Sequence, residues 1–296
     1  MAVTAGVCLA AVAMVGCGHA SRTHDVPAVP DVQDGQGMQD MQGMDMGGSP
    51  GAGIVAADLA DNGLRAAVGG YSYVADTKTP STSPLSPFSF HIVGPSGKNV
   101  TRFQPYEGQL LVFYLVRTDL GDFHRLAASM HDDGTWTVPM PALAPGAYRT
   151  YVTFAAPDSA AGTPLSYSLS QPLVVPGAPP ATATTPGATV DGYTVELTGS
   201  LHQGAESDLG VLVTRNGAPV QQFDRLLDGY AHITAVRSGD AAFARALSTG
   251  RAAGGPAGVG ALTAQIRFPE SGTWRLFVQF QISGTEHTAA VTVSVP

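Results

Sequence analysis

Two parts of this 296-residue chain carry the same landmark residues at the same spacing. In the first part, Phe103 precedes Arg117 by 14 residues, and Arg117 precedes Phe123 by 6. The second part repeats both intervals, with the landmarks Phe223, Arg237 and Phe243. A further pair of aromatic landmarks, 6 residues apart in both parts, is Tyr148 with Phe154 and Trp274 with Phe280. Self-similarity of this kind indicates a duplicated domain of roughly 110 residues.

Alternating apolar residues within each copy predict β-strands. The stretches "YRTYVTF" and "WRLFVQF" each place four residues on one face: Tyr148, Thr150, Val152 and Phe154 in the first, and Trp274, Leu276, Val278 and Phe280 in the second. The Gly two residues before each opening aromatic resembles the corner before strand F of immunoglobulin-like sandwiches, where a Tyr hydroxyl bonds back to the preceding loop. The predicted fold class is all-β, with two tandem immunoglobulin-like or cupredoxin-like β-sandwich domains after a disordered N-terminal tether.

Composition shifts give the predicted domain boundaries. Residues 18–62 combine Pro, Gly, Gln, Asp and Met without any regular period, which is typical of a flexible tether. Residues 178–188 are rich in Pro, Ala and Thr and read as a stiff linker. The signal region is 1–17, and the two β-sandwich repeats are 63–177 and 189–296.

The N-terminus predicts export. The only two cysteines, Cys8 and Cys17, lie in an apolar run of roughly signal-peptide length, so the folded part contains no disulfide. The run ends in "MVGC", which resembles the lipobox of bacterial lipoproteins; Gly16 and Cys17 match, and Met14 stands at the usual Leu position. The resemblance implies that Cys17 carries lipid and anchors the protein at the outer face of the cell membrane. Secretion after ordinary cleavage and an uncleaved anchor remain as alternatives.

The charge balance argues against nucleic acid as a partner. Lys and Arg number 15 against 23 Asp and Glu, which gives a net charge of -8 and no basic surface for phosphate backbones. The partners that the rest of the sequence predicts are the membrane, through the lipid anchor, and an envelope protein or a metal ion.

The Arg…Asp…Phe stretches are predicted to be structural corners that follow a strand. In each copy the Arg and Asp side chains would brace the turn by hydrogen bonds to the backbone, each contributing on the order of 1 kcal/mol. The corner residues are Arg117, Asp119 and Phe123 in the first copy, and Arg237, Asp240 and Phe243 in the second.

The stretch "VRTDLGDF" followed by "DGTW" also resembles a group of exported bacterial proteins with immunoglobulin-like or cupredoxin-like domains. In that group an early His, a Val-Arg pair, the corner and a His-x-His segment follow one another, and some members lie near metal transport. The resemblance covers residues 64–296, and the positions that it implies as ligands here are Val112, Arg125, Ala127, His232, Arg245 and Leu247. A copper or zinc site usually needs three or four ligands, so His232 alone does not make one. We expect His232 to be a strand histidine held by one hydrogen bond, beside Tyr230 and Thr234.

The tether offers a different metal chemistry. The stretch "GMQDMQGMDMGG" places Met38, Met41, Met44 and Met46 within nine residues. Thioether sulfur suits Cu(I), and such a run resembles the Met-rich segments of bacterial periplasmic copper proteins. The alternative is low-complexity linker sequence. No other cofactor is expected.

No enzymatic motif stands out, since the chain has no Gly-x-Ser-x-Gly elbow and "HDDGT" is typical of a turn before a strand. The predicted function is therefore a non-enzymatic binding or structural role in the cell envelope. The alternatives are copper handling through the tether and an enzyme whose site the sequence does not reveal.

Overall fold

The computed structural model describes residues 55–57, 61–77, 87–156, 164–178, 187–251 and 261–296. Every regular element within these ranges is a β-strand, which confirms the predicted all-β class. The same ranges contain no helix that is long and apolar enough to cross a membrane.

The first repeat is built from ten strands of 2 to 11 residues. They are β1 (Val55–Ala56), β2 (Ala67–Val68), β3 (Tyr71–Ala75), β4 (Pro87–Val93), β5 (Leu111–Arg117), β6 (Phe123–Leu126), β7 (Ser129–Met130), β8 (Thr135–Pro139), β9 (Gly146–Ala156) and β10 (Leu165–Val175).

These strands form two five-stranded sheets, ordered β1-β10-β9-β5-β6 and β2-β3-β4-β8-β7. The sheets enclose one core, whose large side chains include Tyr73, Phe90, Trp136 and Phe154. The order β3-β4-β8-β7 against β10-β9-β5 corresponds to strands ABED and GFC of the immunoglobulin fold. The predicted sandwich is therefore confirmed for the first repeat.

The second repeat has the same succession of strands. They are β11 (Thr189–Val190), β12 (Tyr193–Thr198), β13 (Glu206–Arg215), β14 (Ala218–Pro219), β15 (Ala231–Arg237), β16 (Phe243–Arg251), β17 (Ala261–Arg267), β18 (Gly272–Ile282) and β19 (Thr285–Val295).

Strand β16 joins the two layers of the second sandwich. Residues 243–245 pair with β15, and the strand pairs with β17 from Ala246 onward, with a register shift between Leu247 and Gly250. The strand order is therefore continuous, β11-β12-β13-β17-β16-β15-β18-β19, with β14 on β13. In the first repeat the same path is divided into β6, which pairs with β5, and β7, which pairs with β8.

The landmark residues occupy corresponding positions in the two sandwiches. Arg117 pairs with Tyr148 across β5 and β9, and Arg237 pairs with Trp274 across β15 and β18. Phe103 and Phe223 are buried one residue before equivalent bridges to the strands that contain these aromatics. Both pairings and both core positions agree. The repeat seen in the residue spacing is therefore also present in the three-dimensional structure.

The end of the predicted tether takes part in the fold. Val55 and Ala56 pair in parallel with the start of β10, where an edge strand has backbone groups to satisfy. The carbonyl of Asn62 accepts a hydrogen bond from the amide of Phe243 at 2.8 Å. The Asn62 side chain also donates to Glu270 at 2.7 Å. The last residues of the segment predicted as a tether thus make contacts with both sandwiches.

Strand β5 is buried at all seven positions, although a strand with one face in water would alternate. Leu111, Phe113 and Leu115 enter the core of the first sandwich. The intervening side chains belong to a separate apolar cluster shared by both repeats: Val112, Tyr114, Val116, Leu120, Tyr151, Val236, Ala241, Phe243, Phe277 and Ala290, with Phe123 against it. We call this cluster the inter-repeat layer. Both sandwiches thus belong to one compact unit and pack through their GFC sheets.

Candidate functional site between the two repeats

The Arg and Asp residues of the predicted corners are paired in both repeats. Arg117 Nε donates to Asp119 Oδ1 at 2.8 Å, and the amide of Gly121 donates to the same oxygen at 2.9 Å. In the second repeat Arg237 Nε donates to Asp240 Oδ1 at 3.0 Å. The amide of Ala242 supplies the second bond to that oxygen at 3.1 Å. Each carboxylate therefore ties the strand end to the turn that follows it.

The aromatic residue that opens β9 or β18 is tied to the preceding loop. Tyr148 donates its hydroxyl to the carbonyl of Ala144 at 3.1 Å, four residues earlier. Trp274 Nε1 donates to the carbonyl of Glu270 at 3.0 Å, again four residues earlier. Two different side chains thus make the same corner, which is the arrangement known from immunoglobulin-like strands F.

Phe123 and Phe243, predicted as corner residues, lie in the inter-repeat layer. Phe123 stacks on Phe277 of the other repeat with ring centroids 4.2 Å apart. Phe243 stacks on Tyr151 with centroids 4.6 Å apart. The landmark spacing makes Phe243 the counterpart of Phe123, and Tyr151 the counterpart of Phe277. The two stacks are therefore the same contact made twice, in opposite directions.

A second pair of contacts is also equivalent between the two repeats. Arg125 Nε donates to Gln279 Oε1 at 2.9 Å, and Arg245 donates to Thr153 Oγ1 at 3.0 Å. Arg245 is the counterpart of Arg125, and Thr153 is the counterpart of Gln279. The two repeats are consequently related by an approximate two-fold axis, as the subunits of an isologous homodimer would be.

The two-fold relation fails at a buried polar cluster on one side of the layer. The Tyr114 hydroxyl lies 2.8 Å from His232 Nε2, and Glu107 Oε2 lies 3.7 Å from His232 Nδ1. Arg245 reaches Glu107 at 3.5 Å and covers the ring of Tyr106 at 4.3 Å. We call these five residues the Glu107 cluster.

Burial sets the ionisation of the Glu107 cluster. Burial lowers the pKa of His232 well below its usual value, and the nearby cations Arg125 and Arg245 act in the same direction. Burial raises the pKa of Glu107, although Arg245 opposes this. His232 is therefore a neutral, hydrogen-bonded histidine, as expected from the sequence, but its partner is Tyr114 of the other repeat.

A cleft of about 190 Å³ opens beside the Glu107 cluster, between the two sandwiches. One wall comes from the first repeat and the segment before it, and the other comes from β16 and β17. Its lining residues include Ala57, Val68, Tyr106, Tyr167, Phe243, Arg245 and Ile266. Apolar and aromatic walls with a few polar groups are typical of small-molecule sites.

Four of the six positions that the family resemblance implies as metal ligands fall in this interface, whereas Ala127 is exposed. Val112 lies in the inter-repeat layer, and Arg125, His232 and Arg245 make the contacts given above. Within the described ranges, no group of three or more His, Cys, Asp or Glu side chains is placed to hold a metal ion. The predicted lipid site Cys17 and the predicted copper ligands Met38, Met41, Met44 and Met46 lie outside the described residues.

Comparison with family models gives a match over the second repeat. Residues 188–296 match the model of a domain of unknown function, DUF8832. No curated protein sequence matches the chain.

Solved structures similar to this chain include Yersinia pseudotuberculosis InvD, at 15% identity and a TM-score of 0.23, covering 77% of this chain and 58% of that one. Domains 4–9 of the surface layer protein SbsC match at 14% identity and a TM-score of 0.22, covering 76% of this chain and 31% of that one. A chimeric titin Z1Z2 matches at 15% identity and a TM-score of 0.18, covering 77% of this chain and 99% of that one. The chain spans less than two thirds of the length of the first two, and at these TM-scores no argument about function follows.

Proposed function

We propose that the protein is an exported, lipid-anchored component of the cell envelope whose folded part is a rigid, non-enzymatic module for binding or structural support. The inter-repeat layer carries this proposal. Five of its residues have none of their surface exposed: Tyr114, Val116, Tyr151, Val236 and Phe277. A fixed pair of sandwiches presents a cleft and two outer faces in a constant orientation, which suits a binding platform or a spacer better than separate domains would.

The anchoring part rests on "MVGC" at the end of the apolar run. Cys17→Ser should release the protein from the membrane fraction, whereas Cys8→Ser should leave it attached, because only Cys17 closes the lipobox-like segment. Fractionation of expressing bacteria and intact-mass analysis of the membrane-bound form provide the measurement. The expected N-terminus is a lipid-modified Cys17.

Two results would contradict anchoring at Cys17. One is a membrane-bound Cys17→Ser protein that still carries lipid. The other is a mature wild-type protein that begins at another residue and is found in the medium.

A second candidate function is Cu(I) handling by the tether, favoured by four methionines within nine residues. Closely spaced thioethers can surround a soft monovalent ion without a preformed cage. Ordering the segment costs roughly 1 to 2 kcal/mol per residue, so binding should be modest.

Competition titration of the full chain against a chromogenic Cu(I) chelator tests this function. Deletion of residues 36–48, or replacement of Met38, Met41, Met44 and Met46 by Leu, should abolish Cu(I) uptake. The matched control Met130→Leu and the variant His232→Ala should leave it unchanged. Uptake that survives the deletion but is lost with His232→Ala would move the site into the second sandwich.

A further inference from the structure

The cleft between the repeats has the size of a small-ligand site. Its volume of about 190 Å³ exceeds the roughly 150 Å³ of an engineered apolar cavity that holds benzene. It is partly open and not an enclosed cavity. One aromatic ring with a small substituent matches this space.

Most of the cleft wall is apolar. The side chains that supply it come from both repeats: Ala56, Ala57, Val68, Phe243, Ile266 and Pro269. Such walls favour a ligand whose surface is largely hydrocarbon, because burial removes that surface from water.

The charged groups of the cleft balance one another. Arg245 is paired with Glu107, and the carboxylate of Asp61 accepts from Arg65 Nε at 3.3 Å. The remaining two, Glu206 and Arg267, have opposite sign and are neighbours across β13 and β17. The lining as a whole carries no net charge, so a charged ligand would lose its hydration without a net counter-charge to attract it, which is costly.

Two hydroxyl groups of the cleft lining, those of Tyr167 and Ser168, lack a hydrogen-bond partner among the described residues, and Tyr167 is the more buried of the two. The Tyr167 side chain belongs to the lining, and 6% of the residue is exposed. Its hydroxyl has no hydrogen bond to any residue in the part of the chain that the structure describes. The ring is held in place by Tyr71 at 4.7 Å, by Phe154 at 5.5 Å and by the close approach of Gly69, where a Cβ would lie 2.8 Å from the ring.

We infer that this cleft binds a neutral small molecule of about one aromatic ring, with a single oxygen acceptor for the Tyr167 hydroxyl. The apolar walls take the ring, and the balanced charges select against ions. The inference rests on the binding role proposed above and adds to it a site and a class of ligand. Attachment to the membrane is assayed separately through Cys17, so either can fail alone.

Three planar probes of equal size and different charge test the inference on the full chain. They are acetophenone, which is neutral, benzoate, which is an anion, and benzamidinium, which is a cation. Saturation-transfer NMR with competition should show acetophenone binding at least ~10-fold more tightly than either ion, because the cleft lining has no net charge to offset an ion's lost hydration.

Two substitutions, each with a matched control, locate the site. Ser168→Trp places a large ring in the cleft and should abolish acetophenone binding, whereas Ser129→Trp, at an exposed strand position, should not. Tyr167→Phe removes only the unpartnered hydroxyl and should weaken binding about 5-fold, the effect of one hydrogen bond. Tyr193→Phe, which removes a hydroxyl of the second repeat that does not line the cleft, should leave binding unchanged.

The inference is overturned if acetophenone does not bind up to its solubility limit, or if the three probes bind equally well. It is also overturned if a folded Ser168→Trp variant binds as the wild type does. Should Ser168→Trp fail to fold, the comparison of Tyr167→Phe with Tyr193→Phe decides, since each removes a single hydroxyl; equal affinities would then contradict the inference.

Discussion

Two buried threonines differ in how their hydroxyls are satisfied. Thr150 accepts a hydrogen bond from the Tyr73 hydroxyl at 2.9 Å and donates to the carbonyl of Gln171 at 3.2 Å. Thr234 is fully buried, and its Oγ1 has no hydrogen-bond partner among the residues that the structure describes. An unsatisfied buried hydroxyl costs free energy that an isosteric methyl group does not.

Thr234→Val should therefore raise the free energy of unfolding by about 1 kcal/mol, whereas Thr150→Val should lower it by about 1 to 3 kcal/mol. Urea denaturation of the two variants and the wild type measures both changes. Destabilisation of equal size in the two variants would show that the Thr234 hydroxyl has a partner in solution.

His232 should make stability depend on pH. Because its folded-state pKa lies below the unfolded value, the unfolded chain binds more protons as the pH falls below about 6.5. Stability due to this group is thus complete above pH 6.5 and decreases below it, by up to about 1.4 kcal/mol per pH unit. Glu107 acts in the opposite sense, since its raised pKa favours the folded state at lower pH.

His232→Gln should flatten the fall in stability between about pH 6.5 and pH 5 relative to wild type. His131→Gln, at an exposed turn position, is the control and should follow the wild-type curve. Denaturation midpoints measured at intervals of pH give the slopes. Parallel curves for His232→Gln and wild type would contradict the buried neutral histidine.

At the scale of single elements, the corner before β9 depends on one hydroxyl. Tyr148 donates to Ala144 and to Asp122 Oδ2, each at 3.1 Å. Tyr148→Phe should therefore cost about 1 to 2 kcal/mol of stability. Tyr167→Phe is the matched comparison, because that hydroxyl makes no hydrogen bond in the described ranges, and it should change stability by less than about 0.5 kcal/mol. Chemical denaturation distinguishes the two, and an equal loss would show that the corner bond is not stabilising.

The sequence predicts the strands and corners well because these depend on local periodicity. In β18 the alternation places Trp274, Leu276, Val278 and Phe280 in one core, as the structure has them. The same alternation puts Gln279 on the opposite face, which would be exposed in an isolated sandwich, yet only 4% of this residue is exposed between the repeats. Alternation reveals that a strand has two faces, but not whether another sheet covers the second one.

A signal for the covered face was present in the sequence. The run "LVFYLVR" of β5 lacks polar alternation, which is typical of a strand buried on both sides. What it does not specify is the partner, because the matching strand β15 begins 120 residues later and contains His232. The sequence does not predict the cleft for the same reason, because Ala57, Tyr167 and Arg245 come together only when the two repeats pack against each other.

At the scale of the whole molecule, the two repeats pack like the subunits of a homodimer, but some of their interface residues differ. The equivalent stacks of Phe123 on Phe277 and Phe243 on Tyr151 preserve the two-fold relation. Tyr114 and His232 break it, since their counterparts are Thr234 and Val112 and cannot form the same hydrogen bond. This difference favours pairing of a first repeat with a second repeat over pairing of two identical ones.

Scanning calorimetry of the full chain tests most directly whether the two sandwiches behave as one rigid module. The inter-repeat layer predicts a single transition whose van't Hoff and calorimetric enthalpies agree. Phe277→Asp, which places an unpaired charge in the layer, should separate the sandwiches and split this transition, whereas the exposed control Ser294→Asp should not. Two independent transitions in the unmodified protein, each with about half of the total enthalpy, would contradict the rigid module.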